Sequence, residues 1–240
     1  MNSSAPIRLL IHGASGRMGR ALLRLAGEDP RFVLCAAVSG RRVEPDLDAP
    51  LIIAADQLEG APSFDCALDF SLGAGFEGIL NLCVERGAGL VSGTTGLSDD
   101  QQRAMHTAGA RIPILWAANF SIGVVVLTEL ARRAAAALPG WDCNIIESHH
   151  TRKQDAPSGT ALALGRAIEQ DGSHAPAFTS IRAGDIVGEH CVQFTGLGER
   201  LELIHRATDR DIFARGSLEA AARIAGRAPG MYRLEDLLLS

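Results

Sequence analysis

Apolar residues come in short runs along the first half of the chain, separated by helix-length stretches with one apolar face. The runs at 8–12, 32–38, 51–53, 66–70, 89–92 and 112–116 read as strands. Between them, 16–26 carries Met18, Leu22 and Leu25 at helical spacing, and 75–85 carries Phe76, Ile79, Leu80 and Val84. A further helix, 98–108, opens on the capping residue Ser98. Strands that alternate with helices imply βαβ units, and so a mostly parallel sheet covered on both faces.

Past Asn119 the rhythm changes. A long Ala/Val/Leu helix over 124–138 and a strand over 143–147 lead to a helix over 158–170. Three β-like stretches, 178–186, 190–195 and 200–206, then follow with no helix between them, which predicts an antiparallel or mixed sheet. A last helix over 215–225, with Leu218, Ala221, Ala222 and Ala225, is expected to return to the first domain. The fold class is therefore α/β. An N-terminal parallel-sheet domain over 1–119, completed by 208–240, is joined to a smaller α+β domain with a mixed sheet over 120–207.

Composition narrows the function classes. A formal net charge of -5 disfavours nucleic acid and anionic membranes as partners, so any basic cluster is local and suits a small anion. The five cysteines are scattered, with no C-x-x-C pair, as expected of free thiols in a reducing compartment. No apolar run approaches the ~20 residues of a membrane span, and the first residues lack the features of a signal peptide. These readings predict a cytoplasmic protein.

The first strand runs into Gly13-Ala14-Ser15-Gly16-Arg17-Met18-Gly19, and a helix follows. In that setting Gly13 permits a sharp turn, Gly16 lets backbone approach a diphosphate, and Gly19 lets helix and sheet pack closely. Exposed N–H groups at the helix start then bind phosphate, as in a Rossmann-like dinucleotide site. The spacing is G-x-x-G-x-x-G rather than the commoner G-x-G-x-x-G, so a plain glycine-rich turn is the alternative. The second strand ends Val38-Ser39-Gly40-Arg41-Arg42, with no carboxylate to hold a ribose. Ser39 and Arg41 suit a 2′-phosphate instead, which predicts NADPH in preference to NADH.

The segment ESHHTRKQDAPSGTA, 147–161, places His149, His150, Arg152 and Lys153 just before a helix start. Pro157 suits a first helical turn, with Asp155 or Ser158 as cap. Ser158, Gly159 and Thr160 would present free N–H groups at the positive end of the helix dipole. Together they describe a site for a carboxylate beside a proton donor. A capped helix after an exposed loop is the plain alternative. A zinc site drawing on His190, Cys191 and His205 is a third, but its spacing fits no familiar metal motif, so no metal is expected.

The run E-x-H-H-x-x-K-x-D-A-P-S-G-T-A resembles the signature of the bacterial dihydrodipicolinate reductase family. The resemblance covers nearly the whole chain, through the glycine loop, Gly93-Thr94-Thr95, 117–121, 182–190 and 198–201. It implies reduction of 4-hydroxy-tetrahydrodipicolinate by NADPH or NADH in lysine and diaminopimelate synthesis. It also implies a homotetramer built through the second domain's sheet. His149 and Lys153 fall on catalytic positions, and His150, Gly159 and Thr160 on positions binding the small dicarboxylate substrate. Gly93, Thr94 and Thr95, with Ala117, Ala118, Asn119 and Phe120, would line the nicotinamide. The chain departs from the pattern in having Ser39 where an acid is common, and Val125 where an asparagine is common. Aspartate and homoserine dehydrogenases are rival readings that do not account for the H-H-x-x-K run. A non-catalytic dinucleotide sensor would have no need of Lys153.

Overall fold

The computed structural model describes residues 5–40, 48–169 and 175–239, and divides into two compact units, 1–120 with 213–240, and 121–212. In the first unit, β1 (Ile7–His12) leads to α1 (Arg17–Glu28), β2 (Phe32–Ser39) and β3 (Ile52–Ala54). A short 3-10 helix (Ala55–Gly60) precedes β4 (Cys66–Asp69) and α2 (Gly73–Arg86). Then come β5 (Gly89–Ser92), α3 (Asp99–Ala108) and β6 (Pro113–Trp116). With β11 (Gly230–Tyr232) from the tail, the seven-stranded sheet has the order β11-β6-β5-β4-β1-β2-β3, and every pairing is parallel. Strands buried on both faces need apolar side chains at every position. In β4 and β5 all four residues are buried, and each strand is apolar up to its last residue, Asp69 or Ser92.

The chain winds outward from β1 through β2 and β3, then restarts at β4 on the other side of β1. This reversal makes a crevice at the carboxyl ends of β1 and β4, the place where open α/β sheets bind ligands. The tail supplies the far edge: β11 (Gly230–Tyr232) pairs in parallel with β6, Gly230 opposite Pro113. Three residues with no alternation gave no strand signal, so this edge was not legible in the sequence. Within α6 (Asp211–Ile224), Gly216 packs so tightly on 117–120 that a Cβ there would lie 1.8 Å from the Phe120 carbonyl oxygen.

The second unit is built on α4 (Ile122–Ala137), β7 (Asp142–His149), α5 (Gly159–Glu169), β8 (Ala177–Arg182), β9 (Gly188–Gly196) and β10 (Glu199–Ala207). Leu127, Ala131 and Ala135 lie along one face of α4 at helical spacing. They pack with Ala161, Leu164 and Ile168 of α5 over Ile145, Val192 and Phe194 of the sheet. The sheet order is β10-β9-β7-β8. It is mixed, as the unbroken run of β-like stretches predicts, but the parallel pair is β7 with β8. The reason is α5, which lies between them and carries the chain back to the same end. Two strand limits also differ from the sequence reading. β7 continues to His149, and β8 stops at Arg182, after which Gly184 turns with φ +49.

Candidate functional site

At the end of β1 the chain turns at Gly13, with φ +80, in the left-handed region that favours glycine. Its N–H and that of Ala14 bond the Val38 carbonyl at 3.0 and 2.9 Å, fixing the loop to the end of β2. A Cβ on Gly19 would lie 2.3 Å from the Gly13 carbonyl and 2.5 Å from the Ala14 Cα, so helix and loop touch backbone to backbone. Gly16 is the N-cap of α1, and no side chain caps that helix start. Gly16 and Arg17 are exposed, Ser15 and Met18 half-buried, and Ala14 is wholly buried. These features suit a dinucleotide diphosphate, which needs bare amides and an unobstructed backbone. Ser39 is buried at the end of β2, and Arg41 lies outside the described residues.

Under the loop sits a buried polar hub that sequence reasoning missed. Asp69, fully buried at the end of β4, takes His12 Nδ1 at 2.9 Å, Ser92 Oγ at 2.8 Å and Thr94 Oγ1 at 2.8 Å. The Ser71 N–H bonds it at 3.2 Å. The strands carrying His12, Asp69 and Ser92 are adjacent and in register, but that register is visible only once the sheet is assembled. Trp116 Nε1 donates to the Thr94 carbonyl at 2.8 Å, so the Gly93-Thr94-Thr95 loop is pinned from both sides. Gly93 packs closely there: a Cβ would lie 2.2 Å from the Phe70 ring, which would have to shift to admit it. Phe120 meets the same ring edge-on at 5.5 Å; Ala117 and Asn119 are half-buried and Ala118 is exposed.

Burial alone would raise the Asp69 carboxyl, but His12, Ser71 and Thr94 outweigh it and hold it below the ordinary 3.8. A depressed folded value stabilises the fold above the unfolded pKa of about 3.9, and that contribution is lost as pH falls toward the folded value. Asp69→Asn is therefore expected to cost roughly 3 kcal/mol at neutral pH, or about 6–12 °C in Tm. The gap from wild type should narrow below about pH 4. Equal melting temperatures at pH 7 would count against the hub.

In the second unit, β7 brings Glu147 and His149 to one face, while His150 follows after the strand has ended. Glu147 is fully buried and its carboxylate bonds His149 Nδ1. It is also gripped by Arg182, Nη1 to Oε2 at 2.9 Å and Nη2 to Oε1 at 2.7 Å. Burial would push the Glu147 carboxyl up, but donors from Arg182, Ser180 and His149 prevail and leave it at about 2. Burial lowers the His149 imidazole, the nearby Lys153 and Arg182 lower it further, and Glu147 partly offsets them. Burial also drives His190 down to about 4, and its ring stands edge-on to His149 at 5.3 Å.

Lys153 is placed by a turn in which its N–H bonds the His150 carbonyl at 3.1 Å. Its ammonium holds both Asp155 oxygens at 2.8 Å. Lys153 is the chief cause holding the Asp155 carboxyl below its usual range, and the Gly159 N–H contributes in smaller part. Helix α5 begins at Gly159, and Ser158 is the cap, accepting the Ala161 N–H at 3.2 Å. Pro157 stands before the helix rather than in its first turn. Ser158 Oγ also bonds His190 Nε2 at 3.1 Å, which ties the helix start to β9. Gly159 is exposed with nothing near its missing Cβ, and Thr160 is half-buried. The structure thus brings His149, Lys153, Ser158, Gly159 and Thr160 into one neighbourhood. It adds Glu147, Arg182 and His190, which the sequence reading did not place there, and gives Asp155, a cap candidate in the sequence, to Lys153 as an ion-pair partner. Among the described residues, no group of three or more His, Cys, Asp or Glu side chains is arranged to hold a metal, and no helix is long and apolar enough to cross a membrane.

Comparison with known proteins gives two family models that meet near residue 120. Residues 7–120 match the family model "Dihydrodipicolinate reductase, N-terminus" and 123–238 match "Dihydrodipicolinate reductase, C-terminus". A 4-hydroxy-tetrahydrodipicolinate reductase of Stenotrophomonas maltophilia strain K279a is 63% identical over 238 residues, covering 98% of this chain and 99% of its own. One from Xanthomonas campestris pv. campestris strain B100 is 61% identical, covering 99% of this chain and 100% of its own. Among solved structures, dipicolinate-bound dihydrodipicolinate reductase from Paenisporosarcina sp. TG-14 superposes with TM-score 0.85 at 24% identity, over 97% of this chain and 99% of that one. On two family models that between them span nearly all of its length, and on relatives of this identity, the chain belongs to the dihydrodipicolinate reductase family.

Proposed function

We propose that this chain reduces 4-hydroxy-tetrahydrodipicolinate to tetrahydrodipicolinate, using NADPH in preference to NADH, as a step of lysine and diaminopimelate synthesis. The observation that carries the reading is the Asp155 carboxylate, held by Lys153 in front of Gly159. Lys153 and the Gly159 amide hold one carboxylate here, which supports reading them as a site able to hold a substrate carboxylate in the same way. The substrate offers two such groups, and the names of the relatives agree with it.

The glycine loop and the bare start of α1 bind the dinucleotide diphosphate, and Gly93, Thr94, Thr95 and 117–120 line the nicotinamide. Bound there, the reduced nicotinamide supplies a hydride. Lys153 and the amides of Ser158, Gly159 and Thr160 hold and orient the substrate carboxylates, with His150 beside them. The substrate first loses its 4-hydroxyl as water; addition of hydride to the electron-poor ring carbon of the dehydrated form then leaves an enamine, which needs a proton at the neighbouring carbon. Lys153 or His149 delivers it. The working form is a cytoplasmic homotetramer assembled through the mixed sheet.

The test is a coupled assay with aspartate semialdehyde, pyruvate and the upstream synthase, following loss of reduced-nicotinamide absorbance. Turnover is the expected result; tight NADPH binding without turnover would mark a sensor instead. In the same assay kcat/KM should favour NADPH, because no carboxylate follows β2 until Glu44. An NADH advantage of about tenfold or more would overturn the cofactor assignment.

A further inference from the structure

We infer that Glu147, clamped by Arg182, is a positioning residue that fixes the tautomer of His149 and presents Nε2 as its working atom. This rests on the reading above that His149 acts on the substrate. Glu147 and His149 are two apart on β7, so strand alternation puts both on one face. An ionised carboxylate only accepts hydrogen bonds, so the bond to His149 Nδ1 requires the proton to sit on Nδ1. The carboxylate cannot turn away, because Arg182 takes both oxygens at 2.9 and 2.7 Å. Arg182 is itself anchored, donating to the Asp155 carbonyl at 2.6 Å and the Ile181 carbonyl at 2.7 Å. It stands opposite His149 in the parallel β7–β8 register.

The other ring edge is kept open by a missing side chain. A Cβ on Gly188, at the start of β9, would lie 3.1 Å from His149 Nε2. The ring is held laterally by His190, whose own Nε2 is committed to Ser158. The charged and titratable groups that face His149 are Glu147 on its own strand, Arg182 from β8, His190 from β9 and Lys153 from the turn. Of these, only Glu147 favours the imidazolium. Its carboxylate therefore sets both which nitrogen faces the ligand and how readily that nitrogen carries a proton.

The wild-type enzyme gives the first test without a variant. In a long-range proton–nitrogen spectrum of 15N-labelled protein above the His149 titration, His149 should be the Nδ1–H tautomer. An Nε2–H tautomer would overturn the inference. Glu147→Gln keeps the shape and removes the charge. It should lower kcat about 10–100-fold, with substrate KM and NADPH Kd nearly unchanged. It should also move the alkaline limb of the kcat profile down by about one pH unit. A wild-type rate and profile would overturn the inference. Because Glu147 is fully buried, Arg182→Lys serves as a milder variant. It leaves Glu147 in place, and it should weaken the Nδ1–H preference and give a smaller fall in kcat. An unaltered tautomer and rate in Arg182→Lys would refute the clamp. His149→Gln separates the two readings. If it is fully active, His149 has no role on the substrate. If it is crippled while Glu147→Gln is not, the role assigned to Glu147 alone fails.

Discussion

Lys153→Ala should lower kcat by about 10²–10⁴-fold, while NADPH binds as tightly as before. The reasoning starts from what Lys153 touches. Among the described residues its ammonium pairs with the carboxylate of Asp155, more than half exposed, and a pair of that kind contributes no more than about 1 kcal/mol to stability. Removing it leaves the fold intact, so a loss of rate reports chemistry rather than unfolding. The ammonium holds a carboxylate and can donate a proton, and alanine does neither. The glycine loop belongs to the other unit, so cofactor affinity has no reason to change. A steady-state titration with NADPH and substrate checks both halves. A kcat within about threefold of wild type, or a large loss of NADPH affinity, would show that Lys153 has been given the wrong task.

The second large effect is expected at Gly19. A methyl group there would meet the Gly13 carbonyl at 2.3 Å and the Ala14 Cα at 2.5 Å. Both are backbone atoms, and Gly13 and Ala14 are fastened to Val38, so the strain cannot be relieved by a rotamer change. Gly19→Ala must either part α1 from the loop or distort the amides that cradle phosphate. It should cost about 1–3 kcal/mol of stability and weaken NADPH binding by more than about tenfold. Substrate-analogue binding, which depends on elements of the other unit, should survive. Calorimetric titration with NADPH and with pyridine-2,6-dicarboxylate makes the comparison. Unchanged NADPH affinity would show that the helix–loop contact is not part of the cofactor site.

Much of this could be read from the chain itself, because the determinants are local. Continuous apolar runs such as 66–70 and 89–92 mark strands covered on both faces, and Ser98 with Gln101 forms the capping box that starts α3. The glycine loop was legible because each glycine answers a separate steric demand, and Gly13 and Gly19 meet theirs. What was not legible depends on contacts distant in sequence. Asp69 is one polar residue at the end of an apolar strand. Only the parallel register with β1 and β5 shows that it holds His12, Ser92 and Thr94. Likewise, the Arg182 that grips Glu147 lies 35 residues from it, on β8, and only the parallel β7–β8 pairing across α5 brings the two together. The cation that suits a 2′-phosphate, Arg41, falls outside the described residues, so cofactor preference still rests on the sequence alone.

The claim on which the rest stands is that the start of α5 and Lys153 form a carboxylate site, presently filled by the protein's own Asp155. A crystal structure with NADPH and pyridine-2,6-dicarboxylate addresses it directly. One ligand carboxylate should lie within hydrogen-bond reach of the Gly159 and Thr160 N–H groups and of Lys153 Nζ, with the Asp155 side chain displaced. A ligand bound elsewhere, with Lys153 still on Asp155, would contradict the account.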